Sequence, residues 1–358
     1  MPKTTKLYNF KPDWAMIPGE IIQDFMSDRN WSNRELALRL DLHENTVGKI
    51  LKGEDRISTE IADRMARIFG MKASFFINLQ TLYDESLPRQ IKKEEQELAS
   101  KIPYLELSKL GWVPSSAKIE EKLQNLYGFF GISSLANLGK IGAGAIAFRK
   151  RETNTFSKEA LACWLRKGEI EAVGRDLPKF NQEKLNSKLE EIKKLSKQPF
   201  LEIKSDLHSI LGDSGVILNC TPKLTNSCVN GASRWFGENI LIQVSDTGKK
   251  EDIFWFTLFH ELGHTLKHLA NKKKLDFIDL EESQEDIYEK EADEFSKNTL
   301  IANQEYNLFV KSKDFSEASL VDFASQNNIG VGILVGRMCK DEVLSFAEVS
   351  KFRRKLEF

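Results

Sequence analysis

Three of the five histidines, His260, His264 and His268, fall within nine residues. The chain around them reads FWFTLFHELGHTLKH, and its centre is an H-E-x-x-H pattern of His260, Glu261 and His264. On a helix, positions i and i+4 share a face at about 6 Å, so both imidazoles can reach one Zn²⁺. Glu261 stands one step further round and can act on a water as a general base without being a ligand. The apolar run from Ile253 to Phe259 carries this helix into a core. A dry wall of that kind is what metal-assisted catalysis needs. The competing reading is a buried helix whose histidines pair with carboxylates.

A catalytic zinc takes three protein ligands and keeps its fourth position for water. His268 continues the same face, yet a straight helix spreads the three histidines over about 12 Å. His268 therefore reaches the metal only if the helix bends after His264. The other candidates are carboxylates of the next helical segment, IYEKEADEFSKNTLI at 287–301: Glu289, Glu291, Asp293 and Glu294. Glu291 lies four residues before Phe295 and near Ala292, on the side expected to be buried. The pattern thus favours Glu291 as third ligand and leaves Asp293 as the outer partner of a ligand histidine.

FWFTLFHELGHTLKH followed by EKEADEFSKNTLI resembles the ImmA/IrrE family of zinc metallopeptidases, and NGASRWFGENILIQVSD resembles the strands that precede the motif there. The resemblance covers roughly residues 210–340. It implies a gluzincin-like fold, Zn²⁺ as cofactor, His260, His264 and Glu291 as metal ligands, and Glu261 as catalytic base. It also implies a zinc-dependent endopeptidase that cleaves a specific protein, such as a regulator or toxin, rather than bulk peptide. Asp293 departs from the Asn most frequent there. A group to stabilise the oxyanion is also required, with Tyr288, His268 and Arg234 as unranked candidates.

A second constellation lies near the amino terminus, in IPGEIIQDFMSDRNWSNRELALRLDLHENTVGKILKG at 17–53. Ile21, Ile22 and Phe25 mark a first helix. Ser32 and Glu35 form a capping-box pattern before a second, whose apolar face is Leu36, Ala37 and Leu40. A short turn, DLHE, leads to a third helix that buries Val47 with Ile50 or Leu51 and stops at Gly53. Two short helices joined by a tight turn make a helix-turn-helix, whose second helix enters the DNA major groove. His43, Glu44, Asn45 and Thr46 would then face base edges, where Asn45 suits adenine and Glu44 suits the cytosine amine. Asn33, Arg34, Lys49 and Lys52 would hold phosphates. The alternative is a helical bundle used only for protein contacts. Residues 1–90 carry 13 basic and 13 acidic residues, so phosphate attraction per monomer is weak and a homodimer is expected. Residues 17–83, ending ISTEIADRMARIFGMKASFFINLQ, resemble the XRE/HigA-type antitoxin domain. That likeness implies double-stranded operator DNA as a partner, dimerisation, and a cognate toxin.

The elements that must carry these sites follow from composition and pattern. The 358 residues suggest two or three domains. With 52 basic and 53 acidic residues the net charge is −1, which excludes a globally basic nucleic-acid coat. Four scattered cysteines without C-x-x-C exclude a disulfide scaffold and a cysteine-rich zinc finger. Cys220 and Cys228 read as small hydrophobes rather than redox or metal groups. No signal-like segment or membrane-length apolar run is visible, so no membrane association and a cytoplasmic location are expected.

The expected fold class is α+β, mostly α, divided at 1–88 (helix-turn-helix), 89–210 (helical connecting region) and 211–358 (metallopeptidase with a small β-sheet). Residues 84–101, polar and containing Pro88, mark the first boundary. An amphipathic packing helix is expected at 181–198 on Leu185, Leu189, Ile192 and Leu195. Strands are expected at 215–220 and 239–245, with a turn-rich segment between them. Residues 318–340 read as a helical pair packed behind the metal site rather than a second DNA reader, and KFRRKLEF as a solvated basic tail. In the leading reading the chain is a DNA-binding regulator carrying a protease. In the alternative it is a DNA-binding antitoxin or repressor whose zinc module is structural or sensory.

Overall fold

The computed structural model describes residues 17–142, 156–271, 276–280 and 287–358. They form two compact units, Met1–Leu98 and Ala99–Phe358. No described helix is long and apolar enough to cross a membrane.

The first unit is a bundle of α1 (Pro18–Ser27), α2 (Asn33–Leu40), α3 (Glu44–Leu51), α4 (Thr59–Phe69) and the start of α5 (Ala73–Lys101). Its core joins Ile22, Met26, Leu36, Leu40, Val47, Ile50, Leu51, Met65, Phe69 and Phe76. Both Ile50 and Leu51 are buried. The Ser32 hydroxyl accepts from the Glu35 N–H at 3.2 Å and starts α2. Only half of the expected capping box forms, because the Glu35 carboxylate turns to Arg39 at 2.7 Å. Arg64 of α4 donates to the carbonyls of Leu40 and Asp41 at 2.7 and 3.0 Å, closing the end of α2 where Asp41 is left-handed. α1 and α3 touch through Gly19, where any Cβ would meet the Leu51 carbonyl at 2.0 Å.

The polar stretch 84–101 does hold the division between the units, at Leu98 rather than 88, but it lies within a continuous helix: α5 runs from Ala73 to Lys101. The expected division at 210 is absent. Residues 102–210 belong to the same unit as the sheet. That region contributes α6 (Tyr104–Lys109), α7 (Ile119–Phe130), α8 (Lys158–Ala172), α9 (Gln182–Leu195) and part of α10 (Phe200–Gly212). α9 buries Leu185, Leu189 and Ile192, as its spacing predicts.

The sheet has four strands in the order β1-β3-β2-β4. They are β1 (Val216–Cys220), β2 (Val229–Phe236), β3 (Asn239–Val244) and β4 (Asp276–Leu280). β1 is parallel to β3, while β2 is antiparallel to both β3 and β4. The segment that reads as turn-rich by pattern thus contains β2, at the place where the family resemblance puts a strand. It closes on β3 through Gly237 and Glu238, with Gly237 at φ 63° as a two-residue hairpin requires. α8 packs on the sheet through directed bonds. Gln243 donates to the Trp164 carbonyl at 2.6 Å, Arg234 to that of Leu165 at 2.8 Å and Asn219 to that of Gly168 at 2.8 Å.

The opposite layer is α11 (Glu251–Lys267), followed by α12 (Ile287–Leu300), α13 (Asn303–Ser312), α14 (Glu317–Gln326) and α15 (Val331–Lys340). α15 buries Ile333, Leu334, Val335 and Met338 in the core that also holds Phe254, Trp255 and Leu258 of α11. It therefore serves packing.

The carboxy-terminal tail differs from expectation. Leu356 is buried, Lys250 and Lys355 pair as an antiparallel bridge, and Phe358 packs against Phe200 and Phe254. Arg353 bonds the buried Asp252 at 2.8 Å, and Arg354 bonds Glu251 at 2.9 Å. The tail thus clamps the start of α11. Arg353→Ala leaves Asp252 uncompensated and should cost about 3–5 kcal/mol, read as a shift of the second unit's urea midpoint.

Candidate metal centre and DNA-reading surface

α11 is buried almost all round, and from Thr257 through Leu266 every residue is buried. Burial of His260, Glu261 and His264 follows from the helix they occupy. α12 lies against α11 at Gly263, where an added Cβ would stand 3.1 Å from the Phe295 ring and 3.2 Å from the Ala292 Cα. The missing side chain lets the two helices approach closely enough for carboxylates of α12 to meet histidines of α11.

The carboxylate that arrives is Glu289. Its Oε2 lies 3.1 Å from His260 Nε2 and 3.4 Å from His264 Nε2, and the two nitrogens are 3.0 Å apart. One ligand atom from each of His260, His264 and Glu289 lies within 4.8 Å of the others. The structure thus brings Glu289, not the expected Glu291, to the histidine pair. Two residues along a helix turn the side chain through about 200°, so Glu291 leaves the pair and meets His268 Nε2 at 2.9 Å, half-exposed. Glu289 and Asp293 are the i, i+4 pair that shares a face, and both reach His260. Asp293 Oδ1 holds His260 Nδ1 at 2.9 Å, the place given to it as an outer partner.

His268 caps α11 and puts its Nδ1 3.0 Å from His264 Nδ1, behind the centre. The outward nitrogens of both central histidines are therefore engaged. A carboxylate only accepts, so Asp293 fixes the proton on His260 Nδ1 and turns the Nε2 lone pair inward. Nε2 atoms and a carboxylate oxygen then converge on one point. Such a donor set suits Zn²⁺. Burial raises the Glu289 carboxyl, but the two imidazoles facing it outweigh this and bring it down to about 2. Burial lowers the His264 imidazole below its usual value, favouring the neutral form that ligates.

Glu261 is fully buried against β2. A Cβ on Gly231 would stand 2.5 Å from its Oε1 and 2.9 Å from the Thr257 methyl. That glycine is what makes room for the carboxylate. Alternation along β2 turns Arg234 to the other face, onto α8, where it bonds the Leu165 carbonyl. Arg234 is thereby removed as an oxyanion group. His268 is committed to His264 and Glu291. Tyr288 lies beside His268, ring centroids 4.9 Å apart. A cleft of about 510 Å³ opens on His260 and Asp293, walled by Asp252, Phe256, Lys340 and Arg353. Burial pushes the Cys220 thiol up to about 12, away from thiolate chemistry.

In the first unit the candidate DNA contacts lie on the surface. Asn33, Arg34, His43, Glu44, Asn45, Lys49 and Lys52 are exposed and Thr46 is half-buried. α3 buries the opposite face, Val47, Ile50 and Leu51. His43 precedes α3 without a side-chain cap, so its imidazole is not consumed there.

This unit is a helix-turn-helix: residues 25–76 match the helix-turn-helix family model. An HTH-type transcriptional regulator of Haemophilus influenzae is 35% identical over 88 residues, 24% of this chain and 82% of that protein. The chain belongs to the family of HTH-type, DNA-binding transcriptional regulators. Two solved structures are also similar over a small part of the chain. The HigA-family addiction module antidote protein of Coxiella burnetii is 30% identical, covering 25% of this chain and 95% of its own, with a TM-score of 0.21. The Pseudomonas aeruginosa antitoxin HigA, solved with the higBA promoter, is 29% identical, covering 23% and 89%, with a TM-score of 0.22.

Gly231→Ala should force Glu261 and Thr257 aside and cost about 1–3 kcal/mol. Thermal denaturation beside the wild type checks this, and an unchanged midpoint would contradict the packing described.

Proposed function

We propose that this DNA-binding regulator carries a zinc-dependent endopeptidase in its second unit. The observation that supports this best is the convergence of His260 Nε2, His264 Nε2 and a Glu289 oxygen, beside a buried glutamate on the same helix. His260, His264 and Glu289 would hold the metal, with Asp293 and His268 setting the two imidazoles. When bound, zinc lowers the pKa of its water to about 7 and polarises a carbonyl.

The chain's own residues supply the rest. Glu261 takes a proton from the attacking water and returns it to the leaving nitrogen. Its burial beside Gly231 fixes where that proton is held. The cleft beside His260 admits a peptide, and the apolar wall of α11 keeps bulk water away. The substrate is a specific protein, a regulator or toxin.

In the first unit α3 reads the major groove of an operator as part of a dimer. The resemblance of residues 17–83 to the XRE/HigA-type antitoxin domain supports an antitoxin-like role, with a cognate toxin as partner.

Zinc analysis of the purified chain should give one metal per molecule, lost in His264→Ala and Glu289→Ala. Glu261→Gln should retain zinc and DNA binding and lose cleavage by at least about a hundredfold. No zinc in the wild type after metal is supplied would overturn the protease reading and leave the DNA-binding regulator.

For the operator, Asn45→Ala should cost about 1–3 kcal/mol of base discrimination. Lys49→Ala should weaken all sequences alike and lower the salt slope by about one. Gel-shift titrations at several salt concentrations separate the two effects.

A further inference from the structure

The two central histidines are held from behind in different ways. His260 meets a carboxylate directly, through Asp293 at 2.9 Å. His264 meets another histidine: its Nδ1 lies 3.0 Å from His268 Nδ1, and His268 Nε2 lies 2.9 Å from Glu291 Oε2. We propose that Glu291 and His268 form a relay that holds His264 in the tautomer with its Nε2 lone pair facing the centre. They act as positioning residues, and the inference rests on reading that centre as a metal site.

The direction of the relay follows from what each atom can do. The Glu291 carboxylate only accepts, so His268 Nε2 carries a hydrogen and donates to it. A neutral His268 then has a lone pair on Nδ1. His264 Nδ1 must donate into it, and His264 Nε2 is left as a lone pair. The carboxylate thus selects a tautomer two hydrogen bonds away.

The alternative is a doubly protonated His268 that donates from Nδ1. It would put the His264 hydrogen on Nε2, aimed at Glu289 3.4 Å away, and block ligation. His268 is buried and walled by aromatic rings, with centroids of Phe277 and Tyr288 at 5.2 and 4.9 Å. Its imidazole is held in place by packing, while Glu291 is half-exposed. The relay's outer end can therefore be changed without disturbing the core. His268, a ligand candidate by sequence only if the helix bends, serves here as the outer partner of a ligand, and Glu291 gains a role in place of ligation.

The test uses the full chain. Zinc affinity is measured by chelator competition for the wild type, Glu291→Ala, Glu291→Gln, His268→Ala and Glu289→Ala. Long-range proton–nitrogen NMR of the isotope-labelled, zinc-loaded chain reports the histidine tautomers. The expected result is a neutral His268 protonated on Nε2 and a His264 protonated on Nδ1. Affinity should fall by about 10–100-fold in His268→Ala. It should fall less in Glu291→Ala and be partly restored in Glu291→Gln, which still accepts. Glu289→Ala should not bind measurably.

A His268 protonated on Nδ1, or unchanged affinity in all three relay variants while the wild type binds zinc, overturns the relay alone. A wild type that binds no zinc overturns the reading of the centre and the relay with it. The glutamate variants keep the test decisive if His268→Ala fails to fold.

Discussion

The whole centre depends on two helices touching where one has no side chain. At Gly263 the backbone of α12 comes within 3.2–3.3 Å of where a Cβ would sit, at the Cα and carbonyl of Ala292. Contacts this close leave no slack. A methyl group there would move α12 outward by a few tenths of an ångström. The contacts of Glu289 and Asp293, at 2.9–3.4 Å, would lengthen with it. Hydrogen bonds and ligand bonds are steep functions of distance, so a packing decision at one glycine becomes an electrostatic decision at three side chains.

From that contact the division of labour among acidic groups follows. α12 carries Glu289, Glu291 and Asp293 within five residues, and helical geometry sends them in different directions. Two face His260, and the third turns to His268. A buried histidine pair without its carboxylates would bear an uncompensated desolvation cost, and the carboxylates without the histidines would repel one another. The first unit solves a different problem with a separate core. It buries one face of α3 and leaves polar groups outward, since its proposed partner is an extended surface rather than a single ion.

Much of this was legible in the sequence because the signals were short-range. H-E-x-x-H on an apolar helix, the serine cap at Ser32, and the stripe of Leu185, Leu189 and Ile192 are each written within a few turns. The carboxylate that faces the histidine pair is Glu289 rather than Glu291, because the i, i+4 relation between Glu289 and Asp293 decides which face turns inward, and the apolar neighbours of Glu291 do not. β2 was legible only through the family resemblance, because Asn230, Gly231 and Ser233 read by pattern as a turn. Gly231 is there to admit Glu261, a long-range reason no local pattern contains. The basic tail looked solvated since Arg353 and Arg354 find Asp252 and Glu251 only in three dimensions. α5 looked interrupted at Pro88, yet the helix continues.

The hooks between the sheet and α8 have a consequence of their own. A helix resting on an apolar sheet can slide by a turn at little cost, because one methyl replaces another. Gln243, Arg234 and Asn219 grip the carbonyls of Trp164, Leu165 and Gly168, and the side chain of Gln243 fills the notch at Gly168. Slippage would strand three buried polar groups at once, each at about 1–3 kcal/mol. The arrangement therefore works as a ratchet with one stop: it contributes little to how tightly α8 binds and nearly everything to where it halts.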